Sequence, residues 1–274
     1  MVHLSNTDVR RNEKMPIMEK GLVINHQQLA QDMYVMEFLA PSIAKECKPG
    51  QFLHVRPGNT NDPLLRRPLS LYDVDQEKGS ISLLYRVVGK GTDLLTGLKV
   101  NDYIDIMGPL GRGFSLPESP KNALLVGGGV GIAPLVYLGR VLKERECQVT
   151  VMCGAANAGQ LVVDDKFQQL DITFLSATID GSAGYKGLVT DLLVTQVKPG
   201  GFDIIYTCGP EPMMDLVALY AAIHHIWGEV SLEEHMACGV GACLGCARRL
   251  KASDETYAKV CKDGPVFNMK EVEF

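Results

Sequence analysis

The fold of the second half of the chain is decided by the stretch Leu125-Val126-Gly127-Gly128-Gly129-Val130-Gly131-Ile132-Ala133-Pro134. It overlaps a strand-like run, Ala123–Val126, and leads into a helical stretch, Ala133–Glu146. Glycines let a backbone approach a diphosphate closely, and a helix N-terminus favours negative charge. Ile132 stands where the G-x-G-x-x-G pattern would have its third glycine, so a glycine-rich turn without a ligand is the alternative. The position after the first strand of an α/β region favours dinucleotide binding.

Strand-like and helical runs alternate over residues 118–228. We predict strands at Gln148–Cys153, Ile172–Ala177 and Asp203–Thr207, and a helix from Glu211 to Trp227. Such alternation is typical of a mostly parallel sheet with helices packed on it. Residues 118–228 are therefore predicted to form a nucleotide-binding α/β domain.

The tripeptide Cys208-Gly209-Pro210 follows the last strand predicted in this domain. Ligands of open parallel sheets bind outside the carboxyl ends of the strands. This places Cys208 and Gly209 beside the same ligand as the glycine-rich stretch. Taken alone, the three residues fit a buried thiol followed by a turn equally well.

The first half of the chain, residues 16–117, has the pattern of short β-strands separated by Gly, Pro and Asp. The predicted strands are Gly21–Asn25, Met33–Leu39, Phe52–Arg56, Leu69–Val74, Ser80–Val88 and Asp102–Met107. Regular short strands with such turns predict an antiparallel barrel. Pro117–Pro120 is predicted to be a linker, and the polar residues 1–15 are expected to be frayed.

Two stretches of the predicted barrel carry candidate binding residues. In Arg66-Arg67-Pro68-Leu69-Ser70, an arginine can pair with a diphosphate in bidentate fashion and the serine hydroxyl can face a planar ring. In Tyr85-Arg86-Val87-Val88-Gly89-Lys90-Gly91-Thr92, the last two residues can cap a helix that runs through Leu95 and supply amides to a second phosphate. Two arginines before a proline are also typical of a solvated corner.

Four cysteines lie near the C-terminus in the spacing C-x4-C-x2-C, then fourteen residues, then C: Cys238, Cys243, Cys246 and Cys261. This is the plant-type arrangement for a [2Fe–2S] cluster held by four thiolates. Glycines let the loop fold tightly with its backbone N–H groups toward sulfur, and a side chain at Gly239, Gly241 or Gly245 would crowd that approach. A structural zinc site and a pair of disulfides are the alternatives. Zinc sites usually show two C-x2–4-C knuckles, and only Cys243/Cys246 forms one here.

The composition bounds the class of protein. With 274 residues, 46% of them hydrophobic, the chain has room for two domains and a small appendage, here residues 229–274. A net charge of −5 indicates neither a nucleic-acid nor an anionic-membrane partner. The remaining cysteines are scattered as free thiols, which is typical of a reducing compartment: Cys47, Cys147, Cys153 and Cys208. With no signal peptide and no membrane span in the sequence, we predict a cytoplasmic protein.

Together these motifs resemble the ferredoxin–NADP reductase superfamily, which has R-P-x-S in a barrel, G-G-G-x-G-x-A-P and C-G-P. The added cysteine motif narrows the resemblance to the electron-transfer subunits of type B dihydroorotate dehydrogenases, over about residues 16–274. Further matching stretches are Pro49-Gly50-Gln51-Phe52, Gly89-Lys90-Gly91-Thr92, Gly108-Pro109-Leu110-Gly111, the run from Glu234 through Cys246, and Asp263-Gly264-Pro265-Val266-Phe267.

The resemblance implies three cofactors: FAD on residues 16–117, NAD(H) on 118–228 and a [2Fe–2S] cluster on 229–274. The residues expected at FAD are Arg67, Pro68, Leu69, Ser70, Tyr85, Arg86, Val87, Gly91 and Thr92. Those expected at NAD(H) are Gly127, Gly128, Gly129, Gly131, Cys208 and Gly209, and the four clustered cysteines are the expected cluster ligands. A flavin converts between a two-electron hydride and single electrons, so no side chain is expected to act as a catalytic acid or base.

The resemblance also implies a partner, an FMN-containing dihydroorotate dehydrogenase catalytic subunit, in an α2β2 heterotetramer. One alternative is the FAD-binding subunit of a hydrogenase or of a ferredoxin-dependent transhydrogenase. Another is a non-enzymatic metal-binding interaction module, against which the intact R-P-x-S and glycine stretch argue. Val240 and Leu244, apolar residues between the cysteines, either form the partner surface or cover the cluster from water.

The sequence also favours NADH over NADPH. A 2′-phosphate needs Arg or Lys near the end of the second α/β strand. No basic residue occurs between Val149 and Asp165, while Asp164 and Asp165 add negative charge and Lys166 lies just beyond. We therefore expect NADH to be the dinucleotide.

Overall fold

The structure, a computed structural model, describes residues 15–58, 61–119, 121–198, 200–251 and 257–274. The predicted fraying of the N-terminus falls almost wholly on residues 1–14, which lie outside the described residues, as does Pro120 of the predicted linker. In the described ranges the strands form a closed barrel, a seven-stranded sheet and a two-stranded sheet. The predicted combination of an antiparallel barrel and an α/β domain is confirmed.

Six antiparallel strands form the barrel: β1 (Ile17–Ala30), β2 (Met33–Leu39), β3 (Phe52–Val55), β4 (Arg67–Asp75), β5 (Ser80–Arg86) and β6 (Tyr103–Leu110). They close in the order β1-β2-β5-β4-β3-β6. Successive side chains of a strand point to opposite faces, so alternate residues fill the interior. Among these, Phe38, Leu53 and Ile81 are fully buried. Two short helices, α1 (Pro41–Ala44) and α2 (Lys90–Thr96), belong to this half.

The second half contributes β7 (Asn122–Gly128), β8 (Gln148–Ala155), β9 (Thr173–Thr178), β10 (Tyr185–Lys186), β11 (Ile204–Cys208), β12 (Trp227–Ser231), β13 (Ala247–Arg249), β14 (Tyr257–Lys259) and β15 (Val266–Asn268). Its helices are α3 (Ala133–Glu144), α4 (Asp164–Gln169), α5 (Val189–Gln196), α6 (Glu211–Ile223) and α7 (Val260–Asp263). The large sheet runs β10-β9-β8-β7-β11-β12-β15, and only the last pair is antiparallel. None of the helices in the described ranges is long and apolar enough to cross a membrane.

The predicted helix from Glu211 to Trp227 is wrong at its C-terminal end. Helix α6 stops at Ile223, His225 adopts a left-handed backbone with φ 54°, and Trp227 already begins β12. The residues from Trp227 onward form β12 instead, and this strand pairs in parallel with β11, from Ile204 to Cys208. Long-range pairing of this kind leaves no local signal in the sequence.

The cysteine-bearing segment is held at both ends by the large sheet. Strand β12 precedes it and β15 follows it, and the two pair with each other. Cys246 and Cys261 accordingly belong to the same hydrophobic core as Leu124 and Ile205 of the sheet. Residues 229–274 are thus continuous with the sheet at both ends, and β13 and β14 form a separate antiparallel pair within them.

Ser115, just after the barrel, fastens this part of the chain to the sheet. Its backbone N–H and its hydroxyl each donate to a carboxylate oxygen of Glu229 at 2.8 Å, and its carbonyl accepts from Tyr206 Oη at 2.6 Å. The Phe114 ring packs edge-on against Tyr206 at 5.3 Å. Burial raises the pKa of Glu229, and the Ser115 hydrogen bonds offset part of that shift.

Replacing Glu229 by Ala is expected to destabilise the fold by about 1–2 kcal/mol, because two hydrogen bonds from the exposed Ser115 to this buried carboxylate are lost. Urea-induced unfolding followed by circular dichroism measures the change. Glu118→Ala, at an exposed position in the same connection, is the matched control and should leave stability unchanged. Equal stabilities for the two variants would contradict this role of Glu229.

Candidate cofactor sites

A cavity of about 490 Å³ opens where the barrel, the start of α3 and the segment after β12 meet. It brings together most of the residues predicted at FAD: Arg67, Pro68, Leu69, Ser70, Tyr85, Arg86 and Thr92 all line it. Val87 and Gly91 are not among the lining residues, and Val88 lines the cavity instead. Strand β4 and the end of β5 are neighbours in the barrel, which explains why two separate stretches of sequence share one cavity.

Arg67 lies directly against the first turn of α2. A Cβ atom on Gly91 would overlap Arg67 Nε and would stand 2.8 Å from Cζ, so the absence of a side chain there is what lets the guanidinium lie close. Arg67 Nη1 donates to the Leu65 carbonyl at 2.8 Å, which fixes the group at the cavity wall. The pairing of a guanidinium with a closely approaching backbone fits the diphosphate of a dinucleotide.

The expected capping role of Gly91 and Thr92 is wrong in detail. Gly89 occupies the N-cap position of α2, and both residues fall in the first turn. Thr92 Oγ1 accepts a hydrogen bond from the Val88 N–H and donates one to the Gly89 carbonyl, each at 3.0 Å. Thr92 therefore holds the turn that leads into the helix.

Tyr85 borders the cavity, while its ring packs in the barrel core with Ile81 and Leu83. Its ring stacks on Tyr34 at 5.8 Å, and its hydroxyl is hydrogen-bonded to His26 Nε2 at 2.9 Å. Burial raises the pKa of Tyr85, so the phenol stays neutral. Ser70 pairs across the strands with Phe52, which also lines the cavity. The apolar ring of Phe52 and the hydroxyl of Ser70, side by side in the lining, suit a planar ring.

Several lining residues were missed from the sequence. They come from the glycine-rich stretch and from the segment after β12: Val130, Ala133, Leu232, Glu233, Glu234, His235 and Met236. The run from Glu234 to Cys246 was matched as a motif, but nothing in it indicates contact with the barrel. Glu233 lines the cavity, and partial burial there raises the pKa of its carboxyl.

A second cavity, of about 340 Å³, lies at the carboxyl ends of the parallel strands. Gly128 and Gly129 line it, together with Gly154, Gln160 and Pro210 from the ends of β8 and β11 and the loops that follow. Among the described residues that line it, none is charged. The lining therefore offers no basic side chain to a 2′-phosphate, as expected, and Lys166 does not line this cavity.

The other glycines predicted at NAD(H) lie behind this wall. A Cβ on Gly131 would stand 2.5 Å from the Gly209 Cα, so the glycine loop and the turn after β11 touch through their backbones. Gly127 packs against Ile132. Cys208 is buried, and burial raises the pKa of its thiol, so it acts as a small apolar side chain. Neither Gly127, Gly131, Cys208 nor Gly209 lines the cavity.

The four clustered cysteines are brought together by a loop whose backbone faces their sulfur atoms, as predicted. The N–H groups of Val240, Ala242 and Cys243 lie 3.3–3.4 Å from Cys238 Sγ, that of Gly241 lies 3.1 Å from Cys261 Sγ, and that of Cys261 lies 3.4 Å from Cys246 Sγ. Burial raises the pKa of the Cys238 thiol, but these backbone donors and the Cys243 side chain outweigh it and bring the pKa to about 6. A thiolate, the ligand form, is therefore favoured at neutral pH.

The glycines of the loop are needed for a different reason from the one expected. A Cβ on Gly239 would stand 2.8 Å from His54 Nδ1, and one on Gly241 would stand 2.8 Å from the Lys262 side chain. At Gly245 the nearest atom, Cys243 Sγ at 3.5 Å, is at ordinary contact distance. Gly239 and Gly241 also have φ values of 71° and 77°, which favour glycine. The loop is crowded by neighbouring segments rather than by its own sulfurs.

The arrangement fits an iron–sulfur cluster better than zinc or disulfides. All four cysteines are free thiols. Within the described ranges, no group of three or more His, Cys, Asp or Glu side chains closes on a single metal ion. Side-chain contacts instead join Cys238 to Cys243 and Cys246 to Cys261, and Cys238 acts on Cys261 only through its charge. Two pairs suit a cluster with two irons, which spreads its four thiolates more widely than one tetrahedral zinc ion.

Three family models match successive parts of the chain. Residues 20–114 match an oxidoreductase FAD-binding domain, residues 125–218 an oxidoreductase NAD-binding domain, and residues 233–273 the iron-sulfur cluster binding domain of dihydroorotate dehydrogenase B. These matches confirm FAD, NAD and an iron–sulfur cluster as the cofactors of the three domains.

Curated relatives extend over most of the chain. The dihydroorotate dehydrogenase B (NAD(+)) electron transfer subunit of Desulforamulus reducens is 46% identical over 87% of this chain and 92% of the relative. That of Shouchella clausii is 41% identical over 91% of this chain and 96% of the relative.

Solved structures show the same architecture. The NADH-dependent reduced ferredoxin-NADP oxidoreductase described for flavin-based electron bifurcation superposes with a TM-score of 0.81, at 34% identity, covering 92% of this chain and 89% of that chain. A ferredoxin NADP+ reductase from Neisseria gonorrhoeae with bound FAD and NADP has a TM-score of 0.64 and 16% identity over 77% of this chain and 92% of that chain. At that identity it supports the fold alone.

Replacing Arg67 by Ala is expected to weaken FAD binding about tenfold to a hundredfold, because a charge-assisted bidentate contact is lost. Gly91→Ala should weaken it as well by displacing the guanidinium. Fluorescence titration of the flavin-free protein with FAD measures both. Arg145→Ala, outside the cavity, is the control and should bind FAD like the native chain. Unchanged affinity in Arg67→Ala would remove this arginine from the site.

Proposed function

The chain belongs to the family of dihydroorotate dehydrogenase B (NAD(+)) electron transfer subunits, and on this premise we propose that it carries electrons between a catalytic partner subunit and NAD. In the proposed direction, dihydroorotate is oxidised to orotate on the partner, and NAD+ leaves this chain as NADH. The path runs through the [2Fe–2S] cluster and FAD. This places the chain in pyrimidine biosynthesis.

The observation that carries the proposal is the position of the larger cavity. Its walls include Val130 and Ala133 from the dinucleotide loop on one side and His235 and Met236, which lead to Cys238, on the other. A flavin held there would lie beside residues that lead to both neighbouring sites. When bound, FAD supplies the exchange between hydride and single electrons, and the protein supplies placement and electrostatics.

The site residues have separate proposed roles. Arg67, Gly91 and Thr92 hold the diphosphate of FAD, while Ser70 and Tyr85 border its ring. Val87 is proposed to act only through the backbone that leads to Val88. For NAD(H), Gly128 and Gly129 form the proposed wall of the smaller cavity. Behind them, Gly127, Gly131, Gly209 and Cys208 allow the glycine loop and the turn after β11 to lie close together. The four clustered cysteines are the proposed cluster ligands, and no side chain acts as acid or base.

The family name requires a catalytic partner subunit. We propose that this partner contains FMN and that the assembly is an α2β2 heterotetramer. The proposed docking surface is the cysteine loop, where the Val240 side chain is 42% exposed and that of Leu244 is 64% exposed. This exposure supports the partner-surface interpretation over simple shielding of the cluster.

The units we propose are residues 16–117 for FAD, 118–228 for NAD(H) and 229–274 for the cluster, although β12 and β15 join the last unit to the sheet.

The free thiols support a reducing compartment, the cytoplasm. The solved structure that favours the hydrogenase or transhydrogenase alternative is 34% identical to this chain, below the relatives at 41% and 46%.

Two assays test the proposal directly. Under anaerobic conditions NADH should bleach the flavin absorbance of the isolated chain, and a chain that keeps its oxidised flavin spectrum would refute NAD-linked flavin chemistry. The complex purified from its native host should reduce NAD+ with dihydroorotate. A stable complex without that activity would point to the transhydrogenase or hydrogenase relatives.

Replacing Cys243 by Ser is expected to leave flavin reduction by NADH at the native rate while reducing electron transfer to the partner by at least a hundredfold. The reason is that a missing thiolate removes the cluster but not the flavin cavity. Stopped-flow absorbance follows the first step, and dihydroorotate-dependent NAD+ reduction follows the whole path. Cys147→Ala, at a buried thiol outside the loop, is the control. Transfer that persists in Cys243→Ser would take the cluster out of the path.

NADH is expected to reduce the flavin at least tenfold more efficiently than NADPH, because the lining of the second cavity offers no cation to a 2′-phosphate. Initial rates over a range of dinucleotide concentrations give the two values of kcat/KM. Lys166→Ala should leave their ratio unchanged, since Lys166 does not line the cavity. Equal efficiencies in the native chain would contradict this assignment.

A further inference from the structure

His54 occupies an unusual place on the barrel wall. In β3 the neighbours Leu53 and Val55 point into the barrel core, so His54 and Phe52 point outward, toward the second half of the chain. Phe52 packs in the hydrophobic core that also contains Cys246 and Cys261, and its ring stands edge-on to the His54 imidazole at 6.1 Å. His54 is 0% exposed. The imidazole is therefore enclosed between the barrel and the cysteine-bearing segment.

Both ring nitrogens of His54 lack a hydrogen-bond partner. Among the described residues they are the only buried side-chain nitrogen or oxygen atoms of which this is true. Burial, and secondarily the positive charges of Arg66 and Arg67, lower the pKa of His54 to about 4. The ring is neutral at physiological pH and carries one N–H donor. Buried donors are almost always paired in folded proteins, so this one indicates a group that binds there.

The ring faces the cysteine loop. The Nδ1, Cε1 and Cγ atoms of His54 would lie 2.8, 3.0 and 3.2 Å from a Cβ on Gly239, the residue that directly follows Cys238. His54 does not line the flavin cavity, although Phe52 does. The backbone donors to Cys238 Sγ come from the loop itself, at Val240, Ala242 and Cys243. His54 reaches the same loop from the barrel.

We propose that His54 is a positioning residue for the [2Fe–2S] cluster and that its ring N–H is the hydrogen-bond donor which the barrel supplies to the sulfur atoms of that site. The inference rests on the proposed function, because it requires the four cysteines to hold the cluster. Hydrogen bonds to the sulfurs are one of the factors that set the reduction potential of such clusters. The reduced cluster carries one more negative charge than the oxidised one, so a donor stabilises the reduced form and raises the potential.

The test is a redox titration of the holoprotein, with the reduced cluster quantified by electron paramagnetic resonance. His54→Leu removes the donor and keeps apolar bulk, while His54→Asn keeps an N–H near the position of Nδ1. At a fixed potential the ratio of reduced to oxidised cluster should fall about tenfold in His54→Leu, a shift of about 59 mV for a one-electron couple. It should stay within about threefold of native in His54→Asn. His224→Gln, at the end of α6 in the other half, should behave like the native protein.

The outcomes separate the inference from its premise. A native holoprotein without the cluster signal would refute the proposed function. A cluster that is present, with a potential that does not move in His54→Leu, would overturn the inference alone. Equal shifts in His54→Leu and His54→Asn would show that His54 acts only by packing, and this result would overturn the inference as well.

A second measurement uses the native protein, so the inference stays testable even where the variants fail to fold. Pulsed resonance on the reduced cluster in protein labelled with 15N-histidine should detect coupling to a histidine nitrogen. His235, three residues before Cys238, is replaced by Asn in a second labelled sample to exclude it as the source. If no coupling is seen in the native protein, or if the coupling disappears in the His235→Asn sample, the assignment to His54 is overturned.

Discussion

The arrangement of the whole molecule depends on how the barrel is docked on the large sheet. The connection after β6 is held at Ser115 by three hydrogen bonds, two of them to a buried carboxylate, Glu229 of β12. Phe114 packs on Tyr206 in the same place. Because the larger cavity, the proposed flavin site, is built from both halves, its shape is set by this docking. The cavity exists only where the two halves meet.

Close backbone approach is the second constraint, and it recurs at each site. The Arg67 guanidinium lies on Gly91, the dinucleotide loop touches the turn after β11 at Gly209, and the His54 ring lies on Gly239. In each case a methyl group would displace the residue that defines the site. The glycines therefore act mainly by allowing separate segments to meet, and within this set Gly209 and Gly239 also have positive φ values, of 154° and 71°.

The sequence predicted the features that depend on residues close together along the chain. The barrel strands, the turn from β7 into α3 and the cysteine spacing all follow from periodicity, glycine content and ligand chemistry within short stretches. The end of α6 was misjudged because β11 draws Trp227 and its neighbours into the sheet. Val87 was placed at the flavin, whereas Val88 lines the cavity. The wall from Leu232 to Met236 and the place of His54 depend on contacts between distant segments, which a single sequence does not display.

The exposure of the cysteines is unequal in a way that bears on how the holoprotein matures. Cys246 and Cys261 are buried in the core beneath the loop, Cys238 is half-buried, and Cys243 is exposed. Half of the proposed ligand set is thus held in the core by folding, while the other half remains accessible to solvent. With the proposed ligand set, iron and sulfide would reach the thiols from that open side without unfolding of the chain. A partner subunit docked on the proposed surface would then cover the same side.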